Sequence, residues 1–373
     1  MKKVFFCLLT LILALNSFAL NSKEEDALLR DFLWHEFVLL PKDKRPKIGV
    51  TLSAGGLRGF SHIGTMEVLM ESGLPVDYMT GTSMGCIVGA LFSAGVSQER
   101  MHSLASNMPI SALSSDLTLI GAIKYIFNDK LFSSQKFQDF IDKEVGGVYY
   151  ENLNIPFACV SADIKTGEKI VFDSGPVARG VRASMNLPGI FAPVEYRQRY
   201  LVDGGVVDYM PVDIVRDMGA DWVLAVFALP DYSKNVPSTI MGYVLRTADL
   251  RGAYLTTNSE KSANFVIAAR VGDIGAMDIK ETLTAVDIGA KATIKDLAAM
   301  QENLLLFSID HVFKENFYFY FFFTDGIKCQ CYFWPKRQTG TKRTNSQSPQ
   351  GLCGGKLSGN YPPDERFHHK RCP

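Results

Sequence analysis

One serine set between glycines is the first feature of this sequence that could do chemistry. Residues 81–85 read Gly-Thr-Ser-Met-Gly, a G-x-S-x-G pattern, and lie between two apolar stretches. Where a strand turns sharply into a helix, this pattern is typical of a nucleophile elbow, which exposes the serine hydroxyl for attack on a carbonyl carbon. Gly81 and Gly85 would let neighbouring segments approach Ser83 closely. The pattern is common, so by itself it fits a turn without chemistry equally well.

A glycine-rich loop precedes the serine. Residues 54–59 read Ala-Gly-Gly-Leu-Arg-Gly, and accessible N–H groups in such a loop can bind the oxyanion of a tetrahedral intermediate or a phosphate. The loop lacks the Lys-Ser/Thr of a P-loop and the spacing of a dinucleotide-binding fingerprint, which disfavours a nucleotide site. Arg58 could orient the loop, contact a phosphate head group or form a surface salt bridge. The candidate oxyanion residues are therefore Gly55, Gly56, Leu57, Arg58 and Gly59.

The third feature is an aspartate followed by Gly204 and Gly205, directly after a short apolar strand over residues 200–202. A serine nucleophile needs a base to accept its proton. Among six histidines only His62 lies near a motif, at a position that favours capping or packing, and none follows the acid as a Ser…Asp…His order requires. Asp203 is thus a candidate partner of Ser83, and the alternative is a turn aspartate that binds its own backbone.

The elements that would position these residues alternate between strand and helix from Lys47 onward. Such alternation predicts an α/β fold, with a mostly parallel sheet covered on both faces. The pattern predicts strands over residues 48–52, 76–79, 157–162, 169–172 and 222–227, and helices over residues 61–72, 86–94 and 287–300.

The first 19 residues have the layout of a secretory signal peptide. Lys2 and Lys3 precede an apolar run over residues 4–15, and small residues follow as far as Ala19, where cleavage is expected. The run is shorter than the roughly 20 residues of a membrane span, which disfavours an uncleaved anchor. We therefore expect export to the periplasm, the outer membrane or the medium. Residues 20–45 should form an amphipathic helix, begun by a capping box at Ser22, and a linker.

The character of the chain changes after residue 302. Seven consecutive aromatic residues occupy positions 317–323, and the remainder is polar, basic and rich in Gly, Pro, Ser and Thr. Residues 303–373 are accordingly interpreted as an atypical tail, without assigned structure beyond residue 325, as if the end of the gene had been disrupted. The alternative is a zinc or disulfide module, although the spacing fits no metal signature. Its ligands would come from Cys329, Cys331, Cys353, Cys372, His368 and His369.

Composition limits the possible partners. Lys plus Arg and Asp plus Glu both number 39, so the net charge is zero, and electrostatic capture of nucleic acid is not expected. Hydrophobic residues make up 47% of the chain, which fits a sizeable core. Cys86 and Cys159 lie in apolar surroundings and should be small buried hydrophobes. The sequence leaves the oligomeric state open.

The three motifs, in this order, resemble those of the patatin-like phospholipase family. The similarity covers about residues 46–302 and includes the segment Arg-Ala-Ser-Met-Asn-Leu-Pro-Gly-Ile-Phe-Ala-Pro over residues 182–193. With the export signal, it points to a bacterial exported branch. Two positions depart from the family pattern: Ala54 stands where a third glycine is frequent, and Asp208 stands where many members have asparagine.

The resemblance implies a three-layer α/β/α fold and a serine lipid acyl hydrolase of phospholipase A or lysophospholipase type. Ser83 would be the nucleophile and Asp203 the proton acceptor of a Ser–Asp dyad without histidine. The glycine loop would bind the oxyanion, and no metal or cofactor would be needed. Lipid at a membrane surface would be the substrate. The alternatives are a catalytically vestigial lipid-binding or secretion-related protein and a nucleotide-binding α/β protein.

Overall fold

The computed structural model describes residues 23–107, 131–231, 236, 238, 240–272, 274–275, 279–324 and 328–335. The expected signal peptide, Ser22 of the capping box and the tail cysteines at 353 and 372 lie outside these residues, as do His368 and His369. The chain divides into two compact units, Met1–Glu315 and Asn316–Pro373.

In the described part of the first unit, eight strands form one sheet. The expected strands at residues 48–52 and 169–172 have the predicted bounds, whereas the strand expected at 76–79 begins two residues later and ends three residues later. The strands are β1 (Ile48–Leu52), β2 (Tyr78–Thr82), β3 (Phe157–Asp163), β4 (Lys169–Phe172), β5 (Val194–Tyr196), β6 (Arg199–Asp203), β7 (Trp222–Pro230) and β8 (Phe265–Gly272).

The sheet is mixed, and most of its strands are parallel. β3, β2, β1, β7 and β8 lie side by side in that order and run parallel, while β4, β5 and β6 are attached by antiparallel pairing. The predicted α/β class with a mostly parallel sheet is thus confirmed. β1 is apolar and fully buried because strands cover both its edges and helices cover both its faces.

The carboxyl ends of β2 and β6 meet beside β3. Strand β3 pairs with β2 as far as Val160, opposite Thr82, and with β6 from Ser161, opposite Asp203. Strand β4 pairs with β3 along residues 159–162, so β2 and β6 must both lie on the other side of β3, end to end. This arrangement brings the residue after β2 next to the last residue of β6.

Helices cover the sheet on both faces. The longest expected helix, over residues 287–300, extends in both directions, so the expected domain boundary at residue 302 falls inside it. Among the helices in the described part of the chain, none combines the length and apolarity needed to cross a membrane. They are α1 (Lys23–Val38), α2 (Ser61–Glu71), α3 (Met84–Ser93), α4 (Gln98–Asn107), α5 (Gln135–Glu144), α6 (Val177–Ser184), α7 (Val212–Asp217), α8 (Ile240–Ser262) and α9 (Thr282–Asn316).

Two apolar cores, one on each face of the sheet, give the fold its three layers. Leu224 and Val226 of β7 belong to a large core that includes residues of α2, α3 and α6. Val223 and Ala225, which point the other way, belong to a second core with residues of α7, and Leu255 of α8 packs against it. Alternation along one strand therefore supplies both cores.

The described part of the second unit is a β-hairpin. The aromatic run forms β9 (Phe317–Thr324), which pairs antiparallel with β10 (Lys328–Pro335). The sequence interpretation assigned no structure to residues 328–335. Strings of aromatic residues favour strands, and β9 offers β10 a complete pairing partner.

Candidate active site

Ser83 occupies a strained turn between β2 and α3. Its backbone φ is 55° and ψ is −120°, a left-handed conformation that costs about 1–3 kcal/mol in a residue other than glycine. A Cβ at Gly81 would lie 2.4 Å from the carbonyl oxygen of Gly85, and one at Gly85 would lie 2.4 Å from that of Leu52. Both glycines are therefore required for the turn to close against the end of β1.

Asp203 accepts a hydrogen bond from the hydroxyl of Ser83. Ser83 Oγ donates to Asp203 Oδ2 at 2.6 Å, and the main-chain N–H of Gly205 donates to Asp203 Oδ1 at 2.8 Å. Ser83 is 6% exposed and Asp203 is 3% exposed. The structure thus places the candidate nucleophile and the candidate acceptor in direct contact in a nearly dry site.

Burial changes the acidity of Asp203. It raises the pKa of this carboxyl from 3.8 to about 6, although the hydrogen bonds from Ser83 and Gly205 act in the opposite direction. Loss of solvent penalises the charged form of a carboxylate. The carboxylate is consequently a stronger base than an ordinary aspartate, and it is still mostly ionised at neutral pH.

The turn after Asp203 depends on glycine. A Cβ at Gly204 would lie 2.2 Å from the carbonyl oxygen of Val160 on β3 and 3.1 Å from a methyl group of Thr82. Only glycine lets the chain pass between β3 and the end of β2. The Asp-Gly-Gly motif therefore provides both close approach and, through Gly205, a donor to the carboxylate.

The segment over residues 182–193 forms hydrogen bonds with the main chains of both Ser83 and Asp203. The main-chain N–H of Asp203 donates to the carbonyl oxygen of Asn186 at 3.0 Å, and Asn186 Nδ2 donates to the carbonyl oxygen of Ala192 at 2.8 Å. The main-chain N–H of Ser83 donates to Ser184 Oγ at 3.0 Å. Sequence reasoning gave neither Ser184 nor Asn186 a role. Their place in the family-like segment was the only available signal.

The glycine loop follows β1 and contains a 3-10 turn at Gly56–Phe60, with Gly55 as its N-cap residue. Gly56 has a φ of 57°. A Cβ at Gly59 would lie 2.6 Å from Met84 Cγ, so this glycine lets the loop pack on the residue that follows Ser83. The first N–H groups of a helical turn have no acceptor within it, which makes the start of this turn suitable for an oxyanion.

Arg58 is buried and is hydrogen-bonded to the main chain of the glycine loop. Its Nε donates to the carbonyl oxygen of Gly55 at 3.0 Å, and its Nη2 donates to Asp249 Oδ1 on α8 at 2.5 Å. Only 4% of the Arg58 side chain is exposed. Of the roles considered from the sequence, this geometry favours loop orientation over a surface salt bridge.

His62 makes a structural contact. It is fully buried, and its Nε2 lies 2.9 Å from the carbonyl oxygen of Ser53. Burial lowers its pKa from 6.5 to about 4, so the ring is neutral near pH 7 and Nε2–H is the donor. This geometry is consistent with the packing role expected from the sequence.

Asp208 is neutralised by a lysine. Lys169 Nζ on β4 lies 3.0 Å from Asp208 Oδ2 and 2.5 Å from Asp213 Oδ2. Burial raises the pKa of Asp208, and Lys169 opposes that effect. The aspartate that replaces the more usual asparagine therefore anchors the segment after Asp203 to β4.

Cys86 and Cys159 are buried free thiols, as expected of small hydrophobes. Within the described ranges, no group of three or more His, Cys, Asp or Glu side chains is arranged to hold a metal ion.

Comparison with known proteins finds a family whose model matches this domain. The family model for patatin-like phospholipases matches residues 50–216, a stretch that contains Ser83, Asp203 and the segment over residues 182–193. The domain has the patatin-like α/β fold. Over residues 50–216 the chain is similar to the patatin-like phospholipase family.

Curated relatives match about half of the chain. An NTE family protein of Mycobacterium tuberculosis is 33% identical over 184 residues, which are 48% of this chain and 49% of the relative. Human patatin-like phospholipase domain-containing protein 6 is 36% identical over 185 residues, 48% of this chain and 13% of that protein. Lysophospholipase nte1 of Aspergillus fumigatus is 32% identical over 184 residues, 48% of this chain and 12% of that protein. The match thus spans about half of the mycobacterial relative and a small part of the other two.

Proposed function

We propose that the protein is a serine lipid acyl hydrolase of phospholipase A or lysophospholipase type, which cleaves a carboxylic ester through a Ser–Asp dyad. The observation that carries the proposal is the 2.6 Å hydrogen bond from Ser83 Oγ to Asp203 Oδ2, made by a serine on a strained elbow. Similarity to the patatin-like phospholipase family supports a lipid ester as substrate.

The first half-reaction forms an acyl-enzyme. Ser83 Oγ attacks the ester carbonyl carbon while its proton passes to Asp203 Oδ2, and the carbonyl electron pair moves to the oxygen. N–H groups of Gly55, Gly56 and Leu57 stabilise this oxyanion. When the intermediate collapses, the C–O bond to the alcohol breaks and the leaving oxygen takes the proton from Asp203.

The second half-reaction hydrolyses the acyl-enzyme and regenerates the free enzyme. Water attacks the acyl carbonyl carbon and gives a proton to Asp203, and the bond to Ser83 Oγ breaks as the serine recovers that proton. A carboxyl with a pKa of about 6 can accept a proton in one step and donate it in the next at neutral pH. The scheme uses neither metal nor cofactor.

Export completes the proposal. Residues 1–19, with their basic start and apolar run, would direct the protein to the periplasm, the outer membrane or the medium, where membrane lipid is the available substrate. Fractionation of cells that express the full chain with a carboxyl-terminal tag tests this point. Retention of an unprocessed chain in the cytoplasm would contradict it.

Labelling with a fluorophosphonate and product analysis test the chemistry. Wild-type protein should be labelled at Ser83 and should release fatty acid from phospholipid or lysophospholipid, as detected by mass spectrometry. Ser83→Ala should lose both properties and keep its fold. Ser93→Ala, which alters another buried serine of α3, is the matched control and should keep both. A folded wild-type protein that is neither labelled nor active would favour a vestigial lipid-binding protein.

A further inference from the structure

Two turns that the proposed chemistry does not use lie side by side beyond β3. One follows β3 and includes Ile164 and Lys165, and the other joins β5 to β6 at residues 197–198. The main-chain N–H of Ile164 donates to the carbonyl oxygen of Tyr200 at 2.8 Å. Because β2 and β3 are parallel, these turns lie at the sheet edge at which Ser83 follows β2.

The two turns carry cations stacked on tyrosines. Lys165 Nζ lies 4.1 Å from the ring centroid of Tyr200. The guanidinium carbon of Arg197 lies 5.0 Å, and that of Arg179 on α6 lies 5.8 Å, from the ring centroid of Tyr196. All three cations are exposed. These contacts hold long side chains against aromatic faces while their charges face solvent.

Salt bridges in this region involve Arg199 and not the cations that stack on the tyrosines. Arg199 pairs with Asp163 and Glu168. In contrast, no described carboxylate forms a salt bridge with the three cations that stack on the tyrosines. Glu195 is the exposed acid of the β5–β6 hairpin. With Arg199 included, the four cations exceed the three carboxylates by one positive charge, in a chain whose net charge is zero.

Apolar and amphipathic groups accompany the charge. Ile164 is 54% exposed beside Lys165, and the two tyrosine rings are half-buried. Tyrosine favours the boundary between lipid and water, and exposed lysine and arginine beside a membrane contact anionic head groups. An exposed isoleucine gains free energy when it enters an apolar medium. This combination fits an anionic lipid surface better than a nucleic acid, which offers no apolar phase.

We propose that Ile164, Lys165, Arg179, Tyr196, Arg197 and Tyr200 form a docking surface for anionic phospholipid bilayers. Docking there would hold the carboxyl edge of the sheet, and hence Ser83, against the membrane. The inference rests on the proposed lipid acyl hydrolase function, but binding can be measured without hydrolysis.

Vesicle co-sedimentation in a Ser83→Ala background tests the surface. The vesicles contain phosphatidylcholine with or without about 30% phosphatidylglycerol. Each basic side chain near such a surface strengthens binding roughly fivefold. Lys165→Gln/Arg179→Gln/Arg197→Gln should therefore weaken binding to anionic vesicles about 100-fold, and salt should weaken the wild-type binding.

The matched control removes three exposed lysines from the opposite edge of the sheet. Lys44 and Lys47 precede β1, and Lys261 precedes β8, so the Gln triple variant at these positions has the same net charge. It should bind as the parent does. Arg179→Lys/Arg197→Lys, which keeps the charge, should also bind. Equal losses in the two Gln triple variants, or no loss in either, would overturn the proposal, as would equal binding to neutral vesicles.

Hydrolysis separates this inference from the proposed function. With Ser83 intact, the docking triple variant should hydrolyse a soluble short-chain ester at the wild-type rate, which also reports its fold, and should lose activity on anionic vesicles. Loss of both activities would contradict a docking role. A wild-type protein inactive on both substrates would refute the hydrolase, while binding by Ser83→Ala would still decide the docking surface.

Discussion

Ser184 Oγ accepts the main-chain N–H of Ser83 at 3.0 Å. The strained backbone of Ser83 directs this N–H into the interior, where a donor without an acceptor is costly. The last residue of α6 supplies the acceptor and is itself fully buried. Because this N–H is already paired, it is not available to bind an oxyanion.

Removal of the Ser184 hydroxyl should misplace the nucleophile. Ser184→Ala leaves a buried N–H unpaired, at a cost of about 1–3 kcal/mol, so we expect a lower Tm and a kcat reduced by roughly 10- to 100-fold with little change in KM. Ser184→Thr, which keeps the hydroxyl, should recover part of the rate. Steady-state kinetics on a short-chain ester measure both effects. Ser93→Ala, whose buried hydroxyl contacts Met79 sulfur, is the control, and an equal loss there would remove the special role of Ser184.

The pH dependence of the rate should follow Asp203. The carboxylate must be ionised to accept the Ser83 proton, and burial raises its pKa to about 6. kcat/KM should therefore rise as the pH increases through about 6 and level off above it. Rates measured between about pH 4.5 and 8.5 check this. A rate that stays nearly constant over this range would mean that the pKa of Asp203 lies close to the ordinary aspartate value of 3.8, and that the site is wetter than the structure indicates.

The same carboxyl should lower stability at neutral pH. Because its folded-state pKa is raised, the folded state holds more protons than the unfolded state between about pH 4 and 6, so stability falls as the pH rises through that window. Asp203→Asn cannot ionise and can still accept the Gly205 N–H. It should be inactive, with a Tm above that of wild type at pH 7.5 and close to it near pH 4. Thermal unfolding of both proteins at the two pH values tests this prediction. The same difference in Tm at both pH values would show that ionisation of this carboxyl is not linked to stability.

Local motifs in the sequence were enough to identify the main residues of the site. Its remaining contacts join residues that are far apart in the chain and could not be predicted. β1 and β4 could be bounded because short apolar runs begin and end there. The start of β2 was misplaced because Asp77, read as strand, accepts the N–H of Ile48 and pairs with Arg45 at the end of the sheet. Ser83 and Ser184 are 101 positions apart, so their contact exists only after the sheet has formed.

The antiparallel pairing of β5 and β6 also could not be predicted from the sequence. Alternating strands and helices predict parallel neighbours, but β6 reverses direction and meets β2 end to end beside β3. β5 has three residues, too few for a period to be recognised. The Ser–Asp pair could be anticipated from family-like motifs, whereas this reversal is what physically brings the two side chains together.

His62 tests whether histidine takes part. Its Nε2–H serves the carbonyl oxygen of Ser53, so His62→Gln, whose amide nitrogen can reach the same acceptor, should keep kcat within about threefold of wild type. A fall of several orders of magnitude in a folded variant would instead indicate a catalytic histidine and would contradict the dyad. Thermal unfolding identifies a variant that has lost activity through its fold alone.

The ion pair between the buried Arg58 and the partly buried Asp249 should couple the oxyanion loop to α8. Arg58→Met removes this ion pair, and because Asp249 is 13% exposed the loss should stay below about 3–5 kcal/mol, the cost for a fully buried pair. Because the Gly55 carbonyl also loses its donor, the loop should loosen and kcat should fall by roughly 10- to 100-fold.

A double-mutant cycle with Asp249→Leu measures the coupling between the two sites. The double variant should be more stable than the sum of the single losses predicts, because no buried charge is then left over. Lys291→Met is the matched control, since Lys291 and its partner Asp287 are 73% and 59% exposed, and it should cost less than about 1 kcal/mol. Additive losses at Arg58 and Asp249, or an unchanged kcat in Arg58→Met, would mean that the pair does not hold the loop.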